Sequence, residues 1–223
     1  MKKIIKLITF FSLVLLLMGC ATKASKEFKS EYESLNGKTN SSGKAHRVVS
    51  IPKDNPFEKV SASKIVQMIE NKETFYVYFG DELCPWCRSV IEKAIETAKN
   101  NKVNKIYYVK IWDKDGNEVL RSKYKLSDDG KVEELIKGKE EYYKLLQSFD
   151  SLLSDYTLAD TNGNVVNTNE KRIFAPNFIY VENGVAKKLV EGISSNQKDS
   201  REDLTDEMLK DEEEIFNNFF KNN

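Results

Sequence analysis

Histidine is almost missing from this chain: His46 is the only one in 223 residues. That excludes His-rich metal centres, and any Cys–His or Ser–His catalytic pair built away from residue 46. Cysteine is scarce as well, with three residues at positions 20, 84 and 87. Charge of one sign is not in excess: Lys plus Arg and Asp plus Glu each number 35, so the formal net charge is zero. Without a basic surplus there is no electrostatic pull towards nucleic acid. No internal repeat is visible, and the one long apolar run, Leu7–Met18, is too short to cross the ~30 Å hydrocarbon core of a bilayer as a helix. What remains is a charged, soluble chain of which 31% is Asp, Glu, Lys or Arg. Its length allows one domain with a sizeable core and a tail or insertion.

The N-terminal run has the layout of an export signal. Lys2, Lys3 and Lys6 form a basic head, the apolar stretch follows, and it ends in Leu17-Met18-Gly19-Cys20. This ending resembles the lipobox of bacterial lipoproteins. The resemblance implies that residues 1–19 are removed and that Cys20 becomes the acylated (palmitate-bearing) N-terminus. It also implies attachment to the extracytoplasmic face of a cell membrane, of the Gram-positive type. Loss of three lysines and no acid leaves the remainder mildly acidic, so lipid rather than charge has to hold it there. Residues 20–44 are rich in Lys, Ser, Gly, Asn and Glu, and read as a flexible tether with room for a short helix at 28–35.

From residue 45 onwards the pattern is that of an α/β domain. "RVVSI" reads as a first strand stopped by Pro52. Ile65, Met68 and Ile69 form a helical stripe behind an N-cap at Ser61 or Ser63. Thr74–Phe79 is a continuous apolar run suited to a central strand buried on both faces. Val90, Ile91, Ala94, Ile95 and Ala98 mark one face of a helix, and "KIYYVKIW" (105–112) is a second strong strand. Strand, cysteine turn, helix and strand make a βαβ unit with parallel strands. Residues 113–170 are turn-rich, with a helix candidate in "KEEYYKLLQSFDSLLSDY". Strands at 177–181 and 185–190 flank the hairpin signal Glu182-Asn183-Gly184. A last helix is expected to turn Leu204, Met208, Ile215 and Phe219 towards the core, behind an acidic outer face.

The cysteines sit in "YFGDELCPWC", directly after the apolar strand. As a zinc site the pair lacks partners, because four ligands are needed and carboxylates would have to complete the set. As a structural disulfide it closes a very small loop and restrains the unfolded chain little. As a redox couple it has a mechanism. Cys84 falls at a strand-to-helix junction, where unpaired N–H groups and the helix dipole favour a thiolate. Pro85 suits the first helical position, where a missing N–H loses nothing. Cys84 is then the exposed attacking sulfur and Cys87, one turn in, the resolving one, with Trp86 as a partly exposed cover.

Three separated features resemble the thioredoxin superfamily: "FYVYFG" running into "CPWC" and its helix, "FAPNFIYVENGVAKKLVEG", and the C-terminal helix. The resemblance covers residues 45–221, with 113–170 as an insertion before the family's cis-proline strand. It implies a thioredoxin-like fold, a central mixed sheet flanked by helices. It places Pro176 at the cis-proline position, with Ala175, Trp86 and Pro85 positioning substrate. One departure stands out: Tyr78 occupies the place of the family's buried carboxylate, while Asp81 and Glu82 read as a solvated loop. The function implied is a thiol–disulfide oxidoreductase that exchanges disulfides through Cys84 and Cys87, with no cofactor and no metal. Exported thiol- or disulfide-containing proteins and a membrane redox partner are its implied partners, with no nucleic acid. The Pro-Trp pair resembles the Pro-aromatic pairs of glutaredoxins and some disulfide-forming enzymes. The alternative is a non-catalytic accessory lipoprotein on the same fold, assisting export or assembly of a secreted partner. In that case Tyr124, Tyr142, Tyr143 and Tyr156 of the insertion would supply a docking surface.

Overall fold

A strand whose two faces are both covered has no polar alternation, and β2 (Phe75–Gly80) shows the consequence. Its even-numbered residues face one apolar layer and its odd-numbered residues the other. The computed structural model describes residues 21–221. In chain order the elements are α1 (Lys23–Glu33), β1 (Phe57–Lys59), α2 (Ala62–Glu70), β2 (Phe75–Gly80), α3 (Pro85–Asn100) and β3 (Ile106–Lys110). Next come β4 (Lys123–Leu126), β5 (Val132–Ile136), α4 (Glu140–Phe149), β6 (Ser154–Ala159) and β7 (Val165–Arg172). The chain closes with β8 (Asn177–Glu182), β9 (Val185–Val190) and α5 (Asp206–Phe220).

Five strands form a mixed central sheet in the order β1-β3-β2-β8-β9. The β1–β3 and β2–β3 pairs are parallel, and β2–β8 and β8–β9 antiparallel. On one face Tyr78, Tyr108 and Phe178 pack with Phe28 and Tyr32 of α1, Val90, Ile91 and Ala94 of α3, and Phe216 of α5. On the other, Val77, Phe79, Val109 and Ile179 pack with Ile65 and Met68 of α2 and with Tyr142, Leu145 and Phe149 of α4. The protein is therefore an α/β domain with helices on both faces of a mixed sheet. Residues 113–170 build two separate hairpins, β4–β5 and β6–β7, around α4. Tyr142 is buried in that region and Tyr156 nearly so, which makes them packing residues rather than an open docking patch.

Several expectations need correction. The segment read as a flexible tether carries α1, N-capped by Thr22 and seated on the sheet. Phe28 and Tyr32 lie one helical turn apart, so both rings reach the same face. Phe28 stacks on Phe57 with centroids 4.3 Å apart. Two large aromatics in a polar stretch, each contributing ~1.5–3 kcal/mol on burial, are enough to dock the helix. "RVVSI" is not a strand. Its backbone is held by side chains instead: Asn36 bonds both the N–H and the carbonyl of Val49, and Glu33 accepts from the Ile51 N–H. In α5 the buried positions are Met208, Glu212, Phe216, Phe219 and Phe220, whereas Ile215 is only half-buried and Leu204, also half-buried, lies ahead of the helix.

Candidate active site

The turn between β2 and α3 is where the site is built. Cys84 is the N-cap of α3 with extended backbone, Pro85 takes the first helical position, and Cys84 Sγ accepts the Cys87 N–H at 3.3 Å. A sulfur in this place stands against unpaired donors at the positive end of the helix. Its thiol is held below the ordinary cysteine range, first by a hydrogen bond from Cys87 and then by the Cys87 and Trp86 backbone N–H groups, against the opposing effect of burial. Cys87 is pushed well up, by burial first and then by Cys84. Both are free thiols.

The predicted residues from the far end of the chain arrive at the same place. The Ala175–Pro176 peptide is cis, and the Cys84 thiol donates to the Ala175 carbonyl at 3.4 Å. Cys84, Cys87, Ala175 and Pro176 are thus assembled, with Trp86 half-buried beside them. Cys84 is not the exposed sulfur that was expected. It is 3% exposed, because it belongs to the apolar cluster against which Trp86, Trp112 and Ala175 pack. Nor do Asp81 and Glu82 form a solvated loop. Asp81 is fully buried and accepts from the Leu83 and Trp112 N–H groups at 3.0 and 3.1 Å. Burial and then the neighbouring Glu82 raise its carboxyl to about 7. Glu82 is buried against Lys110, with which it is paired.

Three groups around the cysteines escape sequence reasoning. Arg88, the residue after Cys87, is fully buried. Its guanidinium donates to the Arg47 carbonyl (2.8 Å), the Tyr32 carbonyl (2.8 Å), the Glu82 carbonyl (3.3 Å) and Asn36 Oδ1 (2.9 Å). The signal was there: position 88 falls on the stripe 84, 87, 91, 95 of α3, where a charge has to be explained. The second group is the tyrosine pair, Tyr32 and Tyr78, whose hydroxyls are 2.8 Å apart. The third is a buried ionic cluster flanking Ala175. Glu118 accepts from Trp112 Nε1, Arg121 and Arg172, and Arg121 also holds the Ile173 carbonyl at 3.1 Å. Next to Leu83 lies a cleft of about 390 Å³, lined by His46 and Asn40 of the N-terminal arm and by Trp112 and Asp115.

Among the described residues, no group of three or more His, Cys, Asp or Glu is placed to hold a metal ion, and no helix is long and apolar enough to cross a membrane. Cys20 lies outside the described residues, as does the rest of the signal-like segment. In sequence comparisons, no protein-family model and no curated protein matches this chain.

Proposed function

We propose that this chain is a thiol–disulfide oxidoreductase of thioredoxin-like fold, anchored by lipid on Cys20 outside a cell membrane and exchanging disulfides with exported proteins. The observation that carries the reading is the placement of one sulfur. Cys84 Sγ caps a helix, accepts the Cys87 N–H at 3.3 Å and lies 3.4 Å from the Ala175 carbonyl. A depressed thiol at a helix N-terminus is a nucleophile, and a backbone edge beside it can align an extended substrate chain. The mixed five-stranded sheet, with its cysteine turn at the end of a central strand and its cis-proline segment alongside, supports the thioredoxin likeness.

In the reducing direction the Cys84 thiolate attacks a substrate disulfide and expels one substrate sulfur, leaving a mixed disulfide. Cys87 then attacks Cys84 Sγ, so a Cys84–Cys87 disulfide forms and the second substrate thiol leaves. Two electrons pass from the cysteine pair to the substrate, and a membrane dithiol partner returns them. Run backwards, the same steps oxidise a substrate dithiol. The cleft beside Leu83, with Lys38 and His46 on one side and Trp112 on the other, offers room for substrate residues flanking the reacting sulfur.

The test uses the two sulfurs separately. Cys87→Ser should trap mixed disulfides through Cys84, since the resolving thiol is gone, whereas Cys84→Ser should trap few. Equal trapping by both variants, or by neither, would leave a thioredoxin-like scaffold without exchange and favour the accessory-protein reading.

A further inference from the structure

The folded domain begins almost at the cysteine expected to carry lipid. α1 starts at Lys23, N-capped by Thr22, and its first turn is stitched to the loop before β1. Ser25 Oγ donates to the Lys53 carbonyl at 2.7 Å, and Asn55 Nδ2 donates to the Ser25 carbonyl at 2.8 Å. Between Cys20 and Lys23 the chain reaches roughly 10 Å when fully extended. A domain hung from Cys20 therefore has little room to turn over.

The end of the molecule at which α1 starts is basic. α1 and α3 run antiparallel. The Tyr32 carbonyl, late in α1, accepts from Arg88, early in α3, whereas Thr22 and Ser25 share a hollow with Asp54, Asn55, Lys99 and Val103. Lys105 lies at this end as well, since the next residue, Ile106, pairs with Phe57 of β1. Six exposed lysines gather here: Lys23, Lys26, Lys53, Lys99, Lys102 and Lys105. Three acids answer them, with Glu27 at 3.7 Å from Lys23, Asp54 at 2.7 Å from Lys99 and Glu58 at 2.6 Å from Lys105. Among the described residues no carboxylate lies within ion-pair distance of Lys26, Lys53 or Lys102. A positive surplus is thus collected beside the attachment point of a chain that, from Cys20 onwards, is acidic as a whole.

We propose that this end is a membrane-seating surface, whose lysines rest on anionic headgroups of the bilayer that holds the Cys20 lipid and turn the cysteine pair away from the membrane. The inference rests on the lipid-anchoring part of the reading above. A lipid chain holds a protein at the surface without choosing its orientation. Basic residues within a Debye length of about 8 Å from an anionic surface do choose it. α3 sets the height: its 16 residues span about 24 Å, with Lys99 at the seated end and Cys84 at the other. Cys84 then stands about one helix length above the headgroups, facing exported chains. The membrane dithiol partner has to carry its cysteines on a part that rises from the bilayer by a similar distance.

The experiment is amine footprinting of the full chain, processed in cells and carried by its lipid into vesicles. One set of vesicles holds about one-third phosphatidylglycerol in phosphatidylcholine, the other phosphatidylcholine alone. Acetylation by a water-soluble reagent is read at each lysine by mass spectrometry. On the anionic vesicles labelling of Lys26, Lys53 and Lys102 should fall about fivefold or more relative to the neutral ones, and high salt should restore it. Lys38 and Lys114, which line the cleft beside the cysteine turn, should label alike on both. The exposed triple variant Lys26→Gln, Lys53→Gln, Lys102→Gln should stay folded and lose the protection of Lys23 and Lys105. Equal labelling of Lys26, Lys53 and Lys102 on the two kinds of vesicle, protection of Lys38 and Lys114 in their place, or protection that survives in the triple variant overturns the inference. An N-terminal peptide without acyl mass on Cys20 would instead defeat the anchoring reading, and the seat with it, while cysteine trapping tests disulfide exchange separately.

Discussion

Replacing Arg88 with Met keeps most of the buried aliphatic stem and removes only the guanidinium. Five N–H···O contacts to four acceptors disappear: the Arg47, Tyr32 and Glu82 carbonyls and the Asn36 amide oxygen. Each buried acceptor left without a donor costs about 1–3 kcal/mol, an amount reduced by entry of water and by release of the guanidinium's own desolvation. The four acceptors are neutral, so no unpaired charge is left behind, and with those offsets we expect a net loss of about 3–5 kcal/mol. For a domain of this size it corresponds to a fall in Tm of roughly 6–20 °C. The loss should also be localised. Three of the four acceptors, at Tyr32, Asn36 and Arg47, belong to the arm of residues 22–51, so the arm should loosen before the sheet unfolds. Urea titration gives the global change, and limited trypsin digestion gives the local one, through early cuts after Lys44, Arg47 and Lys53. Arg88→Lys keeps the charge but not the planar fork, and should recover only part of the loss. A destabilisation of less than about 1 kcal/mol, the range of ordinary surface substitutions, would refute the assignment of Arg88 as the clamp of the arm. A large one with unchanged trypsin resistance would show that the arm is held by its aromatics alone.

Two further substitutions probe the buried charges. Glu212 is fully buried on α5 with neither carboxylate oxygen hydrogen-bonded, and burial raises its carboxyl to about 8. The folded state then holds a proton that the unfolded chain has already released, so stability is lost as pH rises from the ordinary glutamate range towards 8. Thermal melts should show Glu212→Gln gaining on the parent across that window, and a constant or shrinking gap would contradict it. Glu118→Ala strips the carboxylate from Arg121 and Arg172, both nearly fully buried, and should destabilise by about 3–5 kcal/mol. Because Arg121 also holds the Ile173 carbonyl ahead of Ala175, Cys84 should react more slowly with a protein disulfide in that variant. Unaltered reactivity in a destabilised protein would mean that the Ala175 segment is positioned without the cluster.

The middle of the central sheet was legible because its strands are apolar on both faces. Thr74–Phe79 and the 105–112 run carry that signal without alternation, the turn at Asn183-Gly184 marked the hairpin beside them, and all became strands of the one sheet. The helix after the cysteines was equally plain, since Val90, Ile91, Ala94, Ile95 and Ala98 are all buried. The arm was misread for a compositional reason. Its polar residues describe a solvated segment, and only the i, i+4 spacing of Phe28 and Tyr32 shows that one face is aromatic.

By itself, the amino-acid sequence determined which residues can do sulfur chemistry. Cys84 and Cys87, spaced Cys-Pro-Trp-Cys, are the two cysteines among the described residues, and a proline after Cys84 suits that residue to a helix start. Local pattern also sufficed for the strand–turn–helix that presents them. What surrounds the sulfurs was decided only by tertiary structure, because each such group either comes from a distant part of the chain or is buried by one. Ala175 reaches Cys84 across 91 positions, and Tyr32 reaches Tyr78 across 46. Asp81 reads as a solvated loop charge until the β3–β4 loop packs over it, and Arg88 finds its acceptors only when the arm is in place. Burial is a property of the assembled fold, and it is burial that turns a tyrosine, a carboxyl and a guanidinium from solvated side chains into the electrostatic setting of the cysteine pair.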